Sequence, residues 1–250
     1  MAVKMVRFLR RLFVTYVCRM NFCPPNSRVQ SKAKDVMSAI AKTISPNSTE
    51  CTIVETAKSL LVDFGVVDTW YYGCPAFVLL GNRSCLSISG RDYVPAEEPV
   101  GEGCNLVTID LSPIKEGLWG DYARSLCVEN GFVVGEPSHP DFCDGLRIEA
   151  ELHRQMVNFV TPETSFHQLY EFANDAIRSA GYENLDFMGN VGHSIETSLE
   201  NRLYVESGNI RLLSEVQCFT FEPHIRRRGG RWGFKQEDIY YFDRGRCTLV

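Results

Sequence analysis

The sequence predicts an α+β fold in which an antiparallel sheet, flanked by helices, is built from two copies of one unit around a pseudo-twofold axis. Three observations predict it. Helical and strand-like apolar patterns both occur. The two halves superpose at a constant offset of 116 residues, without a gap, from Ile44/Val160 to Gly65/Gly181. An acid-bearing strand pattern also occurs twice. Because the period is too long for a solenoid, two facing copies are the simpler arrangement.

The length suits one large domain or two small ones, and because no linker or low-complexity tract divides the halves, we predict one domain over residues 27–250, with halves of about 27–143 and 144–250. Apolar residues make up 44% of the 250 residues and charged residues 23%, which is ordinary for a soluble protein. The net charge of −5 gives no electrostatic reason to expect a nucleic-acid partner. No apolar run is long enough to span a bilayer. A homodimer is left open beside a monomer.

Ten cysteines occur without a Cys-x-x-Cys pair, mostly within apolar runs. This pattern predicts buried free thiols in a reducing compartment, which favours the cytoplasm.

Residues 1–26 form a basic, apolar N-terminal extension that we expect to be disordered. Residues 1–34 contain eight Lys or Arg and no acid. Two alternatives are a targeting segment, since such segments are Arg-rich and acid-poor, and an amphipathic helix bound to a surface. The extension would also be explained if the sequence begins at an early start codon and Met20 is the true first residue.

Two helices are predicted in the first half. Apolar spacing predicts one over residues 27–44, and a second begins at a cap, Ser48 or Thr49, and runs to about Phe64, where Gly65 ends it. In the second half the helices begin at Asp144 or Gly145 and at Thr164 or Ser165, and Gly181 ends the last one. The identical pairs within the aligned stretch are Pro46/Pro162, Glu55/Glu171, Ala57/Ala173 and Gly65/Gly181.

Each half continues with apolar runs that are separated by Gly, Pro and Asp, as antiparallel strands require. The predicted strands are residues 74–80, 84–89, 104–110, 118–128, 216–224 and 237–242, with a turn at residues 226–231.

Four acids lie on these strands in two matched pairs. Asp110 ends a run and Asp121 follows it by eleven residues, while Glu222 ends a second run and Glu237 follows. A buried acid is costly unless a positive group meets it. The nearest basic residues to Asp110 are Lys115 and Arg124, but a metal ion serves better where several acids converge.

One histidine, His193 in the stretch Gly192-His193-Ser194, lies between the two pairs in the chain and is the candidate metal ligand. Four carboxylates and one imidazole suit two adjacent divalent ions: carboxylates favour manganese, and imidazole admits iron, cobalt or zinc.

This order of residues resembles the "pita-bread" metallopeptidases, which include methionine aminopeptidase, Xaa-Pro aminopeptidase and prolidase, with creatinase as a non-metal relative. The resemblance covers roughly residues 30–245. The length is more similar to methionine aminopeptidase, and the motifs are more similar to the Xaa-Pro group. These motifs are Asp110-Leu111-Ser112-Pro113, Gly120-Asp121-Tyr122-Ala123-Arg124, Gly192-His193-Ser194-Ile195, Phe221-Glu222-Pro223 and Glu237-Asp238.

The resemblance implies a di-metal hydrolase that cleaves a peptide or small amide bond with a hydroxide bridging the two ions. By the same resemblance, Asp110 binds one ion with both oxygens and Asp121 and Glu237 bridge the two. His193 and Glu222 complete the other ion, and Glu222 shuttles the proton.

Two substrate-contacting histidines of that family are missing here. No histidine precedes His139, and Glu200 stands seven residues after His193. His224 is a candidate to replace one of these histidines beside the substrate, and the alternative is a purely structural role. Tyr72 is a candidate pocket residue within an aromatic group that otherwise belongs to the core. The missing histidines leave two alternatives, a hydrolase of a non-peptide amide and a catalytically weak relative that binds proteins.

Overall fold

Residues 23–250 are described by the computed structural model. The sequence predicts disorder for residues 1–26, and residues 1–22 of that segment lie outside the described residues. Asn26 is buried, and its side-chain amide donates a hydrogen bond to the Trp119 carbonyl at 2.8 Å, so the folded part includes at least this residue. The helices of this range are α1 (Ser27–Ala41), α2 (Glu50–Asp63), α3 (Pro140–Phe159) and α4 (Phe166–Ser179).

Helices α2 and α4 confirm the duplication, because their bounds agree at the predicted offset. Thr49 caps α2 and Ser165 caps α4, and both are capping boxes in which the cap side chain accepts a hydrogen bond from the backbone three residues on. Gly65 and Gly181 follow with φ of 76° and 81°. That left-handed conformation ends a helix and favours glycine.

Helix α3 begins at Pro140, four or five residues before the predicted start at Asp144 or Gly145. His139 caps it through Nδ1, which accepts a hydrogen bond from the Asp141 backbone at 3.3 Å. Pro140 takes the first helical position, where its fixed φ suits a helix and its missing N–H costs nothing.

The strands of this range are β1 (Asp68–Thr69), β2 (Ala76–Leu80), β3 (Asn105–Leu111), β4 (Pro113–Lys115), β5 (Leu118–Trp119), β6 (Tyr122–Glu129), β7 (Phe132–Val133), β8 (Tyr182–Asn184), β9 (Phe219–Phe221), β10 (His224–Arg227), β11 (Gly233–Asp243) and β12 (Arg246–Leu249). They pair antiparallel throughout. The larger sheet has the order β2-β3-β6-β11-β10-β8, with β7 paired to β6 and with β9 and β12 paired to β11, while β1, β4 and β5 form a small second sheet. Strands of both halves therefore share one sheet, in which β6 and β11 are the central neighbours.

Three strand predictions need correction. The strand expected at 84–89 is wrong, because Gly81–Cys85 forms a 3₁₀ helix in which the Ser84 hydroxyl donates to the Gly81 carbonyl at 2.6 Å. The strand expected at 118–128 is interrupted at Gly120 and Asp121, which separate β5 from β6. Strand β11 begins at Gly233, earlier than predicted.

Each half packs its own helices on the sheet. In the first half Ile53 and Ala57 of α2 pack with Val107 and Ile109 of β3. In the second half a separate cluster joins α3 and α4 to the other end of the sheet. Burial of these apolar faces is the main stabilising contribution to such a two-layer arrangement. None of the described helices is long and apolar enough to cross a membrane.

The cysteines of the described range, Cys23 to Cys247, are all free thiols. Their predicted burial is only partly correct. Cys127 and Cys218 are buried, whereas Cys104, just before β3, is exposed.

Candidate metal centre

The centre is built on a row of paired residues that crosses three neighbouring strands. Asp110 of β3 and Glu237 of β11 are both register partners of Ala123 on β6. Directly opposed residues in a sheet present their side chains on the same face. Ala123, which lies between Asp110 and Glu237 in this row, has only a methyl side chain. Asp121 lies two residues before Ala123 and therefore faces the same side.

Asp121 is held by a clamp from α1. The Gln30 side chain is fully buried and donates to the Asp121 carbonyl at 2.6 Å, while it accepts from the Asp121 backbone N–H at 2.8 Å. Asp121 lies outside strand β6, so Gln30 satisfies the backbone groups that the sheet leaves unpaired. Sequence reasoning missed this residue, because its contact joins positions 91 apart.

His193 enters from a loop that lies against β9. Its backbone carbonyl accepts a hydrogen bond from Thr220 at 2.7 Å, and its ring Nδ1 lies 2.8 Å from the Ser194 carbonyl. Because a carbonyl can only accept, Nδ1 carries the hydrogen, and the Nε2 lone pair is left free to bind a cation. Gly192 makes this approach feasible, since a Cβ there would lie 2.2 Å from the Thr220 carbonyl oxygen.

The predicted donors converge in two overlapping sets. One set is Asp121, His193 and Glu237, and the other is Asp110, Glu222 and Glu237; within each set the donor atoms lie within 4.8 Å of one another. His193 Nε2 lies 3.3 Å from Asp121 Oδ2 and 3.7 Å from Glu222 Oε1. Both sets contain Glu237, so this carboxylate is the common member between them.

Unsatisfied oxygens show that the first set fits a divalent ion. Asp121 Oδ2 and both carboxylate oxygens of Glu237 are buried and have no hydrogen-bond partner within residues 23–250. Asp121 is 2% exposed and Glu237 1%, so bulk solvent does not compensate them. Buried polar atoms without partners are costly and rare, and a hard cation satisfies such oxygens directly.

A residue that the sequence analysis did not select, Lys235, lies among the other oxygens. Its Nζ is 2.6 Å from Asp110 Oδ2, 3.0 Å from Glu222 Oε2 and 3.5 Å from Glu237 Oε2. A signal for it was present, because Lys235 is two residues before Glu237 and alternate residues of a strand face the same side.

The basic residues nearest to Asp110 in the chain bind elsewhere. Lys115 donates to the Gly65 carbonyl at 3.0 Å, and Arg124 forms two hydrogen bonds to the Asp238 carboxylate. The idea that either could neutralise Asp110 is therefore wrong.

Burial and charge shift the pKa values of these groups in different directions. Burial raises the pKa of Asp121 to about 6 and that of Glu237 well above its ordinary value, with neighbouring acids adding to the shift of Glu237. Burial acts in the same sense on Glu222, but Lys235 and then His193 outweigh it and lower the Glu222 pKa. Glu222 is therefore ionised more readily at neutral pH than Asp121 or Glu237.

All five predicted donors line one pocket of ≈ 440 Å³, together with Tyr72 and His224. Tyr72 has a φ of 47° and stacks under the Arg91 guanidinium, 4.2 Å from the ring centre. His224 Nε2 lies 2.6 Å from the Ser84 carbonyl oxygen, and burial lowers the His224 pKa to about 4. His224 is thus a neutral wall residue whose Nε2–H is already used.

Aromatic rings and one further cation complete the pocket. Trp70 stacks on Trp119 with ring centres 4.7 Å apart, and its indole N–H donates to the Gly120 carbonyl at 2.9 Å. Trp70 therefore belongs to both the core and the pocket wall. Arg202 also lines the pocket, 5.2 Å from the Trp70 ring, and its Nε is buried without a hydrogen-bond partner in the described range.

Two other residues lie apart from this pocket. Glu200 is exposed and accepts a hydrogen bond from Ser198. His153 of α3 is buried against the sheet, with Nδ1 2.7 Å from the Tyr240 hydroxyl.

Comparison with known proteins places these observations in a family. Residues 27–244 match the metallopeptidase family M24. An Xaa-Pro dipeptidase of Lactobacillus helveticus is 27% identical over 120 residues, which cover 48% of this chain and 30% of that protein.

Solved structures share the fold at low identity. An X-Pro aminopeptidase from Thermotoga maritima has a TM-score of 0.72 at 19% identity, covering 88% of this chain and 58% of its own. A prolidase from Pyrococcus furiosus has a TM-score of 0.72 at 17% identity, and the match covers 94% of this chain and 66% of the prolidase. A methionine aminopeptidase from Rickettsia prowazekii has a TM-score of 0.67 at 15% identity, and the match covers 92% of this chain and 99% of that enzyme. The chain thus spans less than two thirds of the first two structures, and the predicted pita-bread fold is confirmed.

Proposed function

We propose, from the premise that this chain belongs to metallopeptidase family M24, that it is a metal-dependent hydrolase that removes the N-terminal residue of a short peptide or cleaves an Xaa-Pro dipeptide. One observation carries the proposal. The buried oxygens of Asp121 and Glu237, which have no hydrogen-bond partner in the described part of the chain, converge with His193 at the base of a pocket.

The donor chemistry supports divalent ions, with manganese, cobalt, iron or zinc as candidates. The family resemblance implies two ions, with Asp110, Asp121, His193, Glu222 and Glu237 as ligands. A divalent ion there would supply Lewis-acid activation of water and of the scissile carbonyl.

Glu222 is the group in this chain that is best placed to move a proton. It lines the pocket, and Lys235 and His193 favour its ionised form against the effect of burial. An ionised carboxylate at the pocket base accepts a proton from the attacking water and returns it to the leaving amine.

The pocket walls support a small substrate with both apolar and anionic parts. Trp70, Tyr72 and Phe77 present apolar surface, and Arg202 offers a guanidinium whose Nε has no hydrogen-bond partner among residues 23–250. A short peptide satisfies both features, because its side chains contact the rings and its terminal carboxylate pairs with the guanidinium.

A second candidate is a hydrolase of a non-peptide amide. Of the histidines in the described pocket lining, His193 belongs to the metal set and His224 is bonded to the Ser84 carbonyl. No free imidazole in the lining therefore remains to contact a tetrahedral intermediate, a contact that helps peptide cleavage in many enzymes.

Turnover separates the candidates. The full chain, stripped of metal and reloaded with Mn²⁺ or Co²⁺, is incubated with Xaa-Pro, Met-Xaa and acylated amino-acid substrates, and the products are identified by mass spectrometry. Cleavage of dipeptides supports the peptidase, and cleavage of acylated amino acids alone supports the second candidate. Turnover that persists after complete metal removal refutes both.

Two further expectations concern the protein in the cell. We place it in the cytoplasm and retain a homodimer as a prediction. Fractionation and analytical ultracentrifugation test them.

A further inference from the structure

We propose that the Lys235 ammonium takes the place of one of the two expected cations, so that the centre binds a single divalent ion on Asp121, His193 and Glu237. The inference rests on the proposed metal site, but it concerns the number of ions rather than the reaction.

The two donor sets differ in how well their oxygens are satisfied. In the first set Asp121 Oδ2 and the Glu237 oxygens have no hydrogen-bond partner within the described part of the chain. In the second set Asp110 Oδ2 and Glu222 Oε2 already accept from Lys235 at 2.6 and 3.0 Å. Glu237 belongs to both sets, but Lys235 Nζ is 3.5 Å from its Oε2 and forms no hydrogen bond to it. The oxygens that need an ion are therefore those of Asp121 and Glu237, whereas Asp110 and Glu222 already have a cation.

The strand fixes where the ammonium lies. Lys235 and Glu237 are alternate residues of β11 and face the same side of the sheet. The Lys235 backbone N–H donates to Ser125 Oγ on the neighbouring strand at 2.9 Å, and its side chain is only 16% exposed. The chain thus delivers a positive charge into the oxygen cluster from within the sheet itself.

A second ion would have to share this cluster with the ammonium or expel it. Two cations bound to the same carboxylates repel each other strongly in a buried site. Expulsion would separate the ammonium from the acids that compensate its burial. One divalent ion beside one ammonium avoids both costs.

Metal stoichiometry tests the inference directly. The full chain is stripped with a chelator, equilibrated with excess Mn²⁺ and desalted, and bound manganese per chain is measured by mass spectrometry of the metal. Electron paramagnetic resonance then distinguishes an isolated Mn²⁺ from an exchange-coupled pair. We expect one ion per wild-type chain and the spectrum of an isolated ion.

Three variants show whether the charge of Lys235 is responsible. Lys235→Met keeps most of the side-chain volume without the charge, so we expect bound manganese to double, with an exchange-coupled spectrum. Lys235→Arg keeps a cation and stays at one ion. Lys58→Met removes an exposed lysine of α2 and also stays at one. Circular dichroism confirms that each variant is folded.

The outcomes separate this inference from the proposed function. Two ions in the wild-type chain overturn the inference and leave the hydrolase proposal intact. One ion in both the wild-type chain and Lys235→Met also overturns it, because the ammonium is then not what excludes the second ion. No bound manganese in any variant overturns the inference and the proposed function together.

Discussion

Replacing Gln30 with leucine tests whether α1 holds the metal centre in place. Gln30 is fully buried and satisfies both the N–H and the carbonyl of Asp121, at 2.8 and 2.6 Å. Leucine has a similar volume and can make neither hydrogen bond. Because Gln30 and Asp121 are almost completely buried, Gln30→Leu leaves two backbone groups of Asp121 without a partner.

The expected loss follows from those two groups. Each buried polar group left without a partner costs about 1–3 kcal/mol, so two cost about 2–6 kcal/mol. Added apolar burial by leucine offsets roughly 1 kcal/mol of this, so we expect the free energy of unfolding to fall by about 3 kcal/mol. Loss of an outer support of a metal ligand typically weakens metal affinity by about 10–100-fold, and the same decrease is expected for Mn²⁺.

Urea denaturation of the stripped protein measures the first quantity, and Mn²⁺ titration measures the second. Gln217→Leu is the matched control, because Gln217 is exposed and its replacement changes stability by no more than about 0.5 kcal/mol. A Gln30→Leu protein as stable as the control, with unchanged Mn²⁺ affinity, would refute the clamp.

Three further predictions concern the centre and the core. Asp121→Asn removes a buried charged donor, so manganese binding and metal-dependent turnover are lost. The control Asp175→Asn, at an exposed helix position, keeps both. Retained activity in Asp121→Asn would contradict the metal role of Asp121. Gly192→Ala places a Cβ 2.2 Å from a carbonyl oxygen of β9 and lowers the free energy of unfolding by about 1–3 kcal/mol. The control Gly135→Ala, whose Cβ would have nothing within 4 Å, has little effect. Equal melting temperatures for the two variants would exclude the close approach at Gly192. Burial lowers the pKa of His153 to about 4 in the folded chain. Between about pH 6.5 and 4 the unfolded state therefore binds more protons, and the free energy of unfolding falls as the pH is lowered, by up to about 3 kcal/mol. In denaturation measured over this pH range His153→Gln flattens the dependence, and an unchanged slope would show that His153 is not responsible.

The duplicated helices could be predicted closely from the sequence because their determinants are local. Thr49 and Ser165 cap their helices with partners three residues away, and Gly65 and Gly181 end them through their own backbone conformation. Such signals depend on a few neighbouring residues and not on the rest of the fold.

The strand prediction at 84–89 failed because a distant contact decided the conformation. Ser84 accepts a hydrogen bond from the Gly233 backbone at 2.9 Å, and its own carbonyl lies 2.6 Å from His224 Nε2. Both partners come from the other half of the chain, so the apolar pattern of residues 84–89 alone could not indicate a 3₁₀ helix.

The sequence by itself determined which residue types a metal centre needs, their order and their place at the strands, because periodicity and spacing are properties of neighbouring residues. Only the tertiary structure decided which charge meets which. Lys115 and Arg124 are nearer to Asp110 in the chain, yet Lys235 is the cation at 2.6 Å. Pairing of β3, β6 and β11 brings residues more than a hundred positions apart into one row, and that register is fixed by the burial of the whole sheet rather than by any local stretch.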